Sequence, residues 1–443
     1  MRVVLISTYD LGRQPFGLAS AAACLRGDGH DVSCVDVSRG AFSGEAAAGA
    51  DLIAFFLPMH TATRLALPLM DRVREINPSA RLAAYGLYAP LNAGLLREHG
   101  IDVVLGPEFE DDLLQLAGGG PLAAGSPAKG VGRVRFLTPD RAGLPPLSRY
   151  ASLQIGSARK VVGYTEATRG CKHRCRHCPI VPVYDGRFRA VPAGIVLADI
   201  RAQVAAGAEH ITFGDPDFLN GPAHARAIVT ALAEEFPRLT YDATIKVEHL
   251  RRHDDLLPVL VSTGCALVTT AVESFDDQVL ERLQKGHTFA EFEAVVARCS
   301  ALGLPLSPTF VAFTPWTSID GYLEMLRAIA RLDLVPAVAA IQYAIRLLVP
   351  EGSLMLELPE MRHLVERFDS RSLTHVWRHS DPRVDALQRE AERLVGARLN
   401  APRAEVFARL WALAHDAVGR PAPDLPLLPS RATVPYLNEP WYC

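Results

Sequence analysis

Residues 168–179 read TRGCKHRCRHCP and contain three closely spaced cysteines, Cys171, Cys175 and Cys178. The spacing of three and then two residues lets one short loop wrap three thiolates around a single cubane iron–sulfur cluster. Three protein ligands leave the fourth iron of such a cluster open to another molecule. We therefore predict that this loop binds a 4Fe–4S cluster and that chemistry takes place at the open iron.

A structural zinc ion is the alternative for these cysteines. Zinc in structural sites takes four ligands, commonly two pairs of Cys or His separated by a dozen or more residues. No second pair follows this loop, and His173 and His177 lie too close along the chain to complete a tetrahedron easily. The spacing therefore favours the cluster over zinc.

The same stretch resembles the signature of the radical S-adenosylmethionine (radical SAM) superfamily, Cys-x3-Cys-x-aromatic-Cys. His177 stands where an aromatic residue is common, and an imidazole can also pack beside a cluster and donate a hydrogen bond to sulfur. The resemblance implies that the open iron chelates SAM and that an electron from the cluster cleaves a carbon–sulfur bond of SAM. It also implies an external electron donor such as flavodoxin or ferredoxin, and a dry cavity that protects the radical.

Length and composition indicate a multidomain globular protein. A chain of 443 residues is long enough for two or three domains, and 49% hydrophobic with 21% charged residues is typical of soluble proteins. A net charge of -3 argues against general nucleic-acid binding, so we expect a small-molecule substrate. The start of the chain lacks a signal-peptide pattern and no run approaches 18 apolar residues, which predicts a cytoplasmic protein without a membrane partner.

The fold class predicted from the pattern is α/β. Residues 1–115 alternate short apolar strands with amphipathic helices, which predicts a doubly wound parallel sheet. Residues 116–155 form a Gly- and Pro-rich linker, and residues 361–443 a helical C-terminal region with a Cys-ending tail. Between them, residues 156–360 alternate strand and helix again, as expected for the partial (β/α)6 barrel of radical SAM enzymes. The predicted barrel strands are residues 160–164, 210–213, 240–247, 266–272, 305–313 and 338–347.

The first domain resembles the cobalamin-binding domain that precedes many radical SAM barrels. The Asp-x-His-x-x-Gly motif that supplies a histidine to cobalt in many corrinoid proteins is absent. Two alternatives stay open: the domain binds cobalamin as a third cofactor, or it keeps the fold without the corrinoid. His60 is a candidate lower ligand of cobalt, and the alternative is an ordinary loop residue.

The superfamily resemblance also implies residues that hold SAM. Asp215 and Asp217 follow the second barrel strand, where the family binds the ammonium group of SAM, although Asp217 is equally suited to cap a helix. Glu273 and Ser274 follow the fourth strand, where a Glu and a Ser meet the ribose and carboxylate of SAM. A carboxylate suits the ribose because it accepts two hydrogen bonds at once.

The sixth predicted strand adds Gln342 and Arg346 to the SAM candidates. An arginine binds a carboxylate well because its planar guanidinium offers paired donors. A salt bridge at the barrel rim is the alternative for Arg346.

The chain ends in EPWYC, residues 439–443. This tail, together with LGRQP at residues 11–15, resembles the CUAEP/CCAEP-tail radical SAM (seleno)protein family, in which a second Cys or a selenocysteine and Ala-Glu-Pro follow. We expect the natural chain to continue past Cys443 in that way. A soft terminal ligand suits arsenic, selenium or sulfur, so Cys443 is a candidate catalytic residue, and an ordinary docked tail is the alternative.

The predicted function is a radical SAM enzyme that transfers a carbon fragment of SAM to a small, thiophilic substrate. Transfer of the 3-amino-3-carboxypropyl group yields methylthioadenosine and needs no corrinoid. Cobalamin-dependent methylation of an unactivated carbon yields 5'-deoxyadenosine and S-adenosylhomocysteine. A hypothesis from another class is a non-catalytic iron–sulfur or metalloid sensor, which would not need Glu273 or Arg346.

Overall fold

The first sheet consists of five parallel strands. The computed structural model describes residues 1–120, 134–425 and 435–438. The strand order in the first range is β2-β1-β3-β4-β5. The chain adds β2 on one side of β1 and β3 to β5 on the other side, so the order of connection switches between β1 and β3 while all strands stay parallel. Doubly wound sheets hold their ligands beside that point, at the carboxyl ends of the strands. The strands are β1 Arg2–Ser7, β2 Asp31–Asp36, β3 Leu52–Phe56, β4 Arg81–Tyr85 and β5 Val103–Val104.

Helices pack on both faces of this sheet because successive strand residues point to opposite sides. Val4 and Ile6 join the apolar cluster under the third helix, whereas Val3 and Leu5 join the cluster under the first and sixth helices. The doubly wound α/β arrangement predicted for this region is confirmed. Its helices are α1 Phe16–Gly27, α2 Gly44–Ala48, α3 His60–Ile76, α4 Tyr88–Leu91, α5 Ala93–Glu98 and α6 Glu110–Ala117.

The second sheet is a partial barrel with the order β13-β12-β11-β10-β7-β6-β16. The five strands from β13 to β7 are parallel, and β6 and β16 add an antiparallel edge. Its strands are β6 Ser152–Ile155, β7 Ala158–Thr165, β10 His210–Phe213, β11 Thr240–Thr244, β12 Cys265–Glu273, β13 Leu306–Phe310 and β16 Tyr436–Leu437. A separate small ribbon pairs β8 Thr168–Gly170 with β9 Phe188–Ala190.

Helices cover the outer face of this partial barrel. The apolar cluster there includes Ile228 and Leu232 of α9, Phe292 of α13 and Leu326 of α14. The helices are α7 Val181–Tyr184, α8 Ala193–Ala205, α9 Pro222–Glu235, α10 Val247–Arg252, α11 Leu257–Ser262, α12 Asp277–Leu283, α13 Phe289–Leu302 and α14 Ile319–Arg331. Within the described residues, no helix combines the length and apolar content that crossing a membrane requires.

The prediction of a sixth barrel strand at residues 338–347 is wrong. The segment contains a 3-10 turn, and a single parallel bridge between Phe313 and Arg346 joins it to the barrel. The reason is Gln342, whose amide oxygen accepts a hydrogen bond from the backbone N–H of Phe310 at 2.8 Å. A side chain therefore accepts the hydrogen bond from an edge N–H group of β13 that the backbone of a sixth strand would otherwise have accepted.

The described part of the C-terminal region predicted as helical contains three helices, but it also contains a hairpin that the prediction did not include. A hairpin of β14 Val365–Asp369 and β15 Thr374–Trp377 follows the short helix α15 Pro359–Leu364. Asp369 stabilises the turn because its carboxylate accepts hydrogen bonds from the backbone N–H groups of Arg371 and Ser372. Two helices then pack on the barrel core, α16 Pro382–Gly396 and α17 Arg403–Ala417.

A buried ion network joins the first sheet's helices to the strand that leads into the cysteine loop. Arg169 of β8 lies 2.5 Å from Glu110 of α6 and 3.1 Å from Glu166, and its side chain is 7% exposed. Ser20 of α1 accepts a further hydrogen bond from the Arg169 guanidinium at 3.1 Å. The network therefore fixes the approach of the chain to Cys171.

Candidate functional site

The three cysteines lie on one buried loop at the carboxyl end of the first barrel strand. Gly170 enters the loop with φ of 76°, and a Cβ there would meet the carbonyl oxygen of Arg187 at 2.5 Å, so only glycine fits. Cys171 and Cys175 are 9% and 6% exposed. A turn in which the N–H of Cys178 bonds the carbonyl of Cys175 at 3.1 Å closes the loop.

The electrostatics of the loop suit a cationic cluster. Burial raises the pKa of the Cys171 thiol to about 11 and that of Cys178 to about 12, and the neighbouring thiols add to both shifts. Three buried thiolates without a compensating cation would therefore be unfavourable. An iron–sulfur cluster supplies that compensation, so the residues present fit the predicted cofactor.

Glu273 links the cysteine loop to the end of β12. Its Oε1 lies 3.1 Å from Nε2 of His177 and 3.1 Å from Nζ of Lys285, which is 3% exposed. Burial disfavours the carboxylate, but Lys285 and His177 outweigh that effect and hold the pKa of Glu273 well below its usual range. Lys285 also faces the thiols of Cys175 and Cys178, and its pKa is raised despite burial.

Asp217 meets the cysteine loop on its other side. Its Oδ1 accepts a hydrogen bond from the N–H of Leu219 at 3.2 Å, so the capping role anticipated for Asp217 is observed. Its Oδ2 lies 2.7 Å from Nδ1 of His249 and 3.4 Å from Nε2 of His173. Burial opposes ionisation of Asp217, but the two imidazoles outweigh it and lower its pKa to about 2.

Several buried polar atoms near these groups have no partner in the described part of the chain. His287 is only 6% exposed, so water can hardly reach its ring, yet neither ring nitrogen has a hydrogen-bond partner in that part of the chain. The hydroxyl of Thr270 on β12 is also buried and unpaired there. Burial, with the nearby ammonium groups of Lys285 and Lys246, lowers the pKa of His287 to about 4. Buried unpaired polar atoms are costly, so their concentration here fits a polar ligand such as SAM.

Asp215 has a different position from the predicted one. Its carboxylate accepts hydrogen bonds from the N–H of Ala167 at 3.0 Å and the hydroxyl of Thr168 at 2.5 Å. Burial raises the pKa of Asp215 to about 7. The side chain thus braces the strand before the cysteine loop and is not directed at a ligand.

Three other predicted SAM residues do not converge on the cysteine loop. Ser274 accepts a local hydrogen bond from the N–H of Asp276, and Gln342 accepts a hydrogen bond from the N–H of Phe310 on β13. Arg346 donates to Asp385 at 2.8 Å and to the carbonyl of Trp377 at 2.6 Å. The rim salt bridge left open for Arg346 is therefore the observed arrangement.

Cys443, the candidate catalytic residue of the tail, lies outside the described residues, as do residues 121–133 of the predicted linker. Among the residues that the sequence reasoning missed, His249 and His287 stand out. His249 lies in the first turn of α10, the helix that follows the third barrel strand, and that position after a strand end was a usable signal.

Comparison with known proteins identifies the domain. Residues 165–326 match the family model described as Radical SAM superfamily, so the chain contains a radical SAM domain. One curated relative is ribosomal protein uS12 methylthiotransferase RimO of Desulfosudis oleivorans, 25% identical over 170 residues that cover 35% of this chain and 37% of that protein. The chain matches between 34% and 60% of the length of the curated relatives reported with it.

Solved structures share the fold over most of the chain. The cobalamin-dependent radical SAM enzyme OxsB with aqua-cobalamin bound superposes with a TM-score of 0.68 at 15% identity, covering 89% of this chain and 67% of OxsB. The radical SAM methyltransferase TsrM from Kitasatospora setae, with tryptophan and a SAM analogue bound, superposes with a TM-score of 0.63 at 16% identity, covering 81% of this chain and 76% of TsrM.

The findings confirm the predicted fold class, and the match of residues 165–326 to the radical SAM family model agrees with the predicted 4Fe–4S cluster and SAM. The resemblance to the CUAEP/CCAEP-tail family, the group transferred and the soft-atom substrate stay predictions.

Proposed function

We propose that this chain is a radical SAM group-transfer enzyme in which Cys171, Cys175 and Cys178 hold the 4Fe–4S cluster. The observation that carries the proposal is the single loop that gathers the three thiols, with Cys171 and Cys175 buried and the ammonium group of Lys285 close to Cys175 and Cys178. When bound, the cluster supplies the electron that cleaves a carbon–sulfur bond of SAM.

The surrounding side chains have separate tasks in this proposal. Glu273 holds His177 and Lys285 in place through Oε1, which leaves Oε2 for a ribose hydroxyl of SAM. Lys285 offsets the negative charge of the thiolates. His287 offers hydrogen bonds to polar groups of SAM from a site that is nearly closed to water.

We further propose that the transferred group is a carbon fragment of SAM, either methyl or 3-amino-3-carboxypropyl, and that the acceptor is a small molecule with a soft arsenic, selenium or sulfur atom. Support comes from the sequence of the tail, where Cys443 is a soft ligand. The methyltransferase TsrM and the methylthiotransferase RimO, which this chain resembles, also transfer carbon or sulfur groups according to their names.

Mass spectrometry of the SAM products tests this proposal. The protein is reconstituted anaerobically, reduced, and incubated with SAM and arsenite, selenide or a thiol. Methylthioadenosine with an alkylated acceptor would support aminocarboxypropyl transfer, and 5'-deoxyadenosine would direct attention to adenosyl-radical chemistry. Absence of both products with an intact cluster would contradict the enzyme and favour the sensor hypothesis.

Cobalamin-dependent methylation is the second candidate, favoured by the strand order of the first sheet and by the overall likeness to OxsB and TsrM. Nε2 of His60 lies 2.5 Å from the carbonyl oxygen of Ser372 in the hairpin turn, so Nδ1, which is buried without a partner among the described residues, is the ring nitrogen that a ligand could use. Burial lowers the pKa of His60. A visible spectrum of protein from cobalamin-fed cells decides this point, since protein without corrinoid bands would contradict the second candidate.

A further inference from the structure

We propose that His173, Asp217 and His249 form a site for one divalent transition-metal ion, distinct from the three-cysteine site. One ligand atom from each side chain lies within 4.8 Å of the other two. Asp217 Oδ2 lies 2.7 Å from His249 Nδ1 and 3.4 Å from His173 Nε2, and the Nε2 atoms of the two imidazoles lie 3.2 Å apart. Metal bonds of about 2.1 Å to nitrogen and oxygen place neighbouring ligand atoms roughly 3.0 to 3.4 Å apart, so a bound ion would move Asp217 Oδ2 and His249 Nδ1 slightly away from each other.

The orientation of the groups indicates a shared ligand. Asp217 and His249 are both fully buried, yet Asp217 Oδ2 and His249 Nδ1 have no aligned hydrogen bond among the described residues, despite lying 2.7 Å apart. His210 and Asp242 form a buried pair with the same 2.7 Å separation, and there the atoms do make a regular hydrogen bond. Oδ2 and Nδ1 therefore point towards a common position, where a cation would satisfy both.

Neighbouring groups hold two of the three ligands in orientation. Nδ1 of His173 lies 3.5 Å from Oε2 of Glu248, so its Nε2 is the atom that faces Asp217. Oδ1 of Asp217 is held by the N–H of Leu219, which leaves Oδ2 for a metal. Carboxylates and backbone groups that orient ligands in this way are a regular feature of metal sites.

The donor set defines the class of metal. Two imidazoles and one carboxylate suit Zn²⁺, Fe²⁺ or Co²⁺, whereas Mg²⁺ and Ca²⁺ prefer sites made of oxygen. Three protein ligands leave coordination positions open to water or substrate. His173 lies midway between Cys171 and Cys175, so the ion would sit beside the cluster loop. This assignment takes Asp217 as a metal ligand in place of its predicted contact with the ammonium group of SAM.

Cobalt binding to the cluster-loaded protein tests the site, because cobalt is counted separately from iron. We expect the wild-type protein to bind one equivalent of Co²⁺ with a visible spectrum that lacks sulfur-to-cobalt charge transfer. Asp217→Asn and His249→Gln should each weaken Co²⁺ binding at least tenfold, with iron and sulfide contents unchanged. The matched control is His210→Gln, which disrupts the ordinary buried His–Asp pair and should leave Co²⁺ binding unchanged.

X-ray absorption at the cobalt edge of the wild-type protein provides a measurement that does not depend on how the variants fold. A first coordination sphere of nitrogen and oxygen only would support the site. Sulfur ligands, no retained cobalt, or equal cobalt binding by folded wild-type, Asp217→Asn and His249→Gln proteins would each overturn it. A cluster that fails to form would contradict the proposed function of the cysteines, and because the free thiols would then bind Co²⁺ as well, the His–Asp–His site is judged in that case by the difference in bound cobalt between the wild-type and Asp217→Asn proteins.

Discussion

The two parallel sheets of this chain present the same kind of edge, the carboxyl ends of their strands, but the two edges are occupied differently. At the first sheet, Asp36 accepts a hydrogen bond from the hydroxyl of Tyr150 at 2.8 Å, and His60 meets the carbonyl of Ser372. At the second sheet, the edge holds the unpaired ring nitrogens of His287 and the converging atoms of Asp217 and His249.

The difference shows that the carboxyl ends of parallel strands indicate where a ligand can bind, but not whether a ligand binds there. In α/β folds the edge is a consequence of topology and exists in every member. What separates a binding site from a domain contact is whether the protein itself satisfies the buried polar groups. By that criterion the barrel edge is built for ligands, whereas the first edge is mixed: Asp36 and Nε2 of His60 are bonded within the chain, but Oγ of Ser7 and Nδ1 of His60 are also buried without a partner among the described residues.

Loss of one cluster ligand should produce the largest effect. Cys175→Ala removes one of three thiolates, so we expect the iron content to fall to background and SAM cleavage to fall at least about 1,000-fold. Iron and sulfide analysis with product mass spectrometry measures both. Cys34→Ala, at a partly buried cysteine of the first sheet, is the control and should keep both. Unchanged turnover of the Cys175 variant would refute the assignment of the loop.

The buried ion pair between the two regions should have the next largest effect. Arg169→Met leaves Glu110 buried without its cation, which typically costs about 3–5 kcal/mol. Urea unfolding followed by circular dichroism measures the free energy of unfolding. The control is Arg201→Met, which breaks a solvent-exposed pair with Glu235 and should change little. Equal losses in the two variants would show that the network does not join the two regions.

Ionisation of Asp10, at the carboxyl-end edge of the first sheet, should destabilise the protein as pH rises. Burial raises the pKa of Asp10 to about 7 from an ordinary value of 3.8, partly offset by Arg13, while Glu166 and Asp36 raise it further. Because folding favours the protonated form of Asp10, the contribution of Asp10 to stability is fully present below about pH 4, decreases up to about pH 7, and is then constant. Asp10→Asn should therefore stabilise the protein at pH 8 by about 2–4 kcal/mol and have little effect at pH 4.

Denaturant midpoints measured at both pH values check this difference. The control is Asp140→Asn at a carboxylate whose pKa is lowered by the backbone N–H of Ala142 and by Arg26, against the effect of its modest burial. That substitution should not stabilise the protein at pH 8. A pH-independent effect of Asp10→Asn would mean that Asp10 is ionised throughout.

The smallest effect is expected at the rim of the barrel. Arg346 is held by Asp385 and Trp377, so Arg346→Met should lower stability by about 1 kcal/mol and change the Kd of SAM less than twofold. Glu273→Gln, at a residue in contact with His177 and Lys285, should raise the Kd about tenfold. Calorimetric titration of SAM compares them. A larger loss of SAM affinity for the Arg346 variant would restore the contact predicted from sequence.

Local pattern was sufficient for most of the elements and failed where side chains from elsewhere compete for backbone groups. The strand at His210–Phe213 matches its predicted range because a short apolar run is bounded by clear turns. Residues 338–347 also form an apolar run, but Gln342 takes the hydrogen bond that a strand would have made. The turn formed by Asp369 likewise interrupts a segment whose composition suits a helix.

Residue spacing was enough to predict the cysteine loop and its class of chemistry, because three cysteines within eight residues must lie close together whatever the rest of the chain does. The partners of that loop could be found only from the three-dimensional packing of the chain. His249, Glu273 and Lys285 are separated from the cysteines by many tens of residues, and strand order and register bring them to the same edge. Packing also paired Arg346 with Asp385 and Asp215 with Thr168, since a buried polar group binds the nearest suitable partner in space and not in sequence.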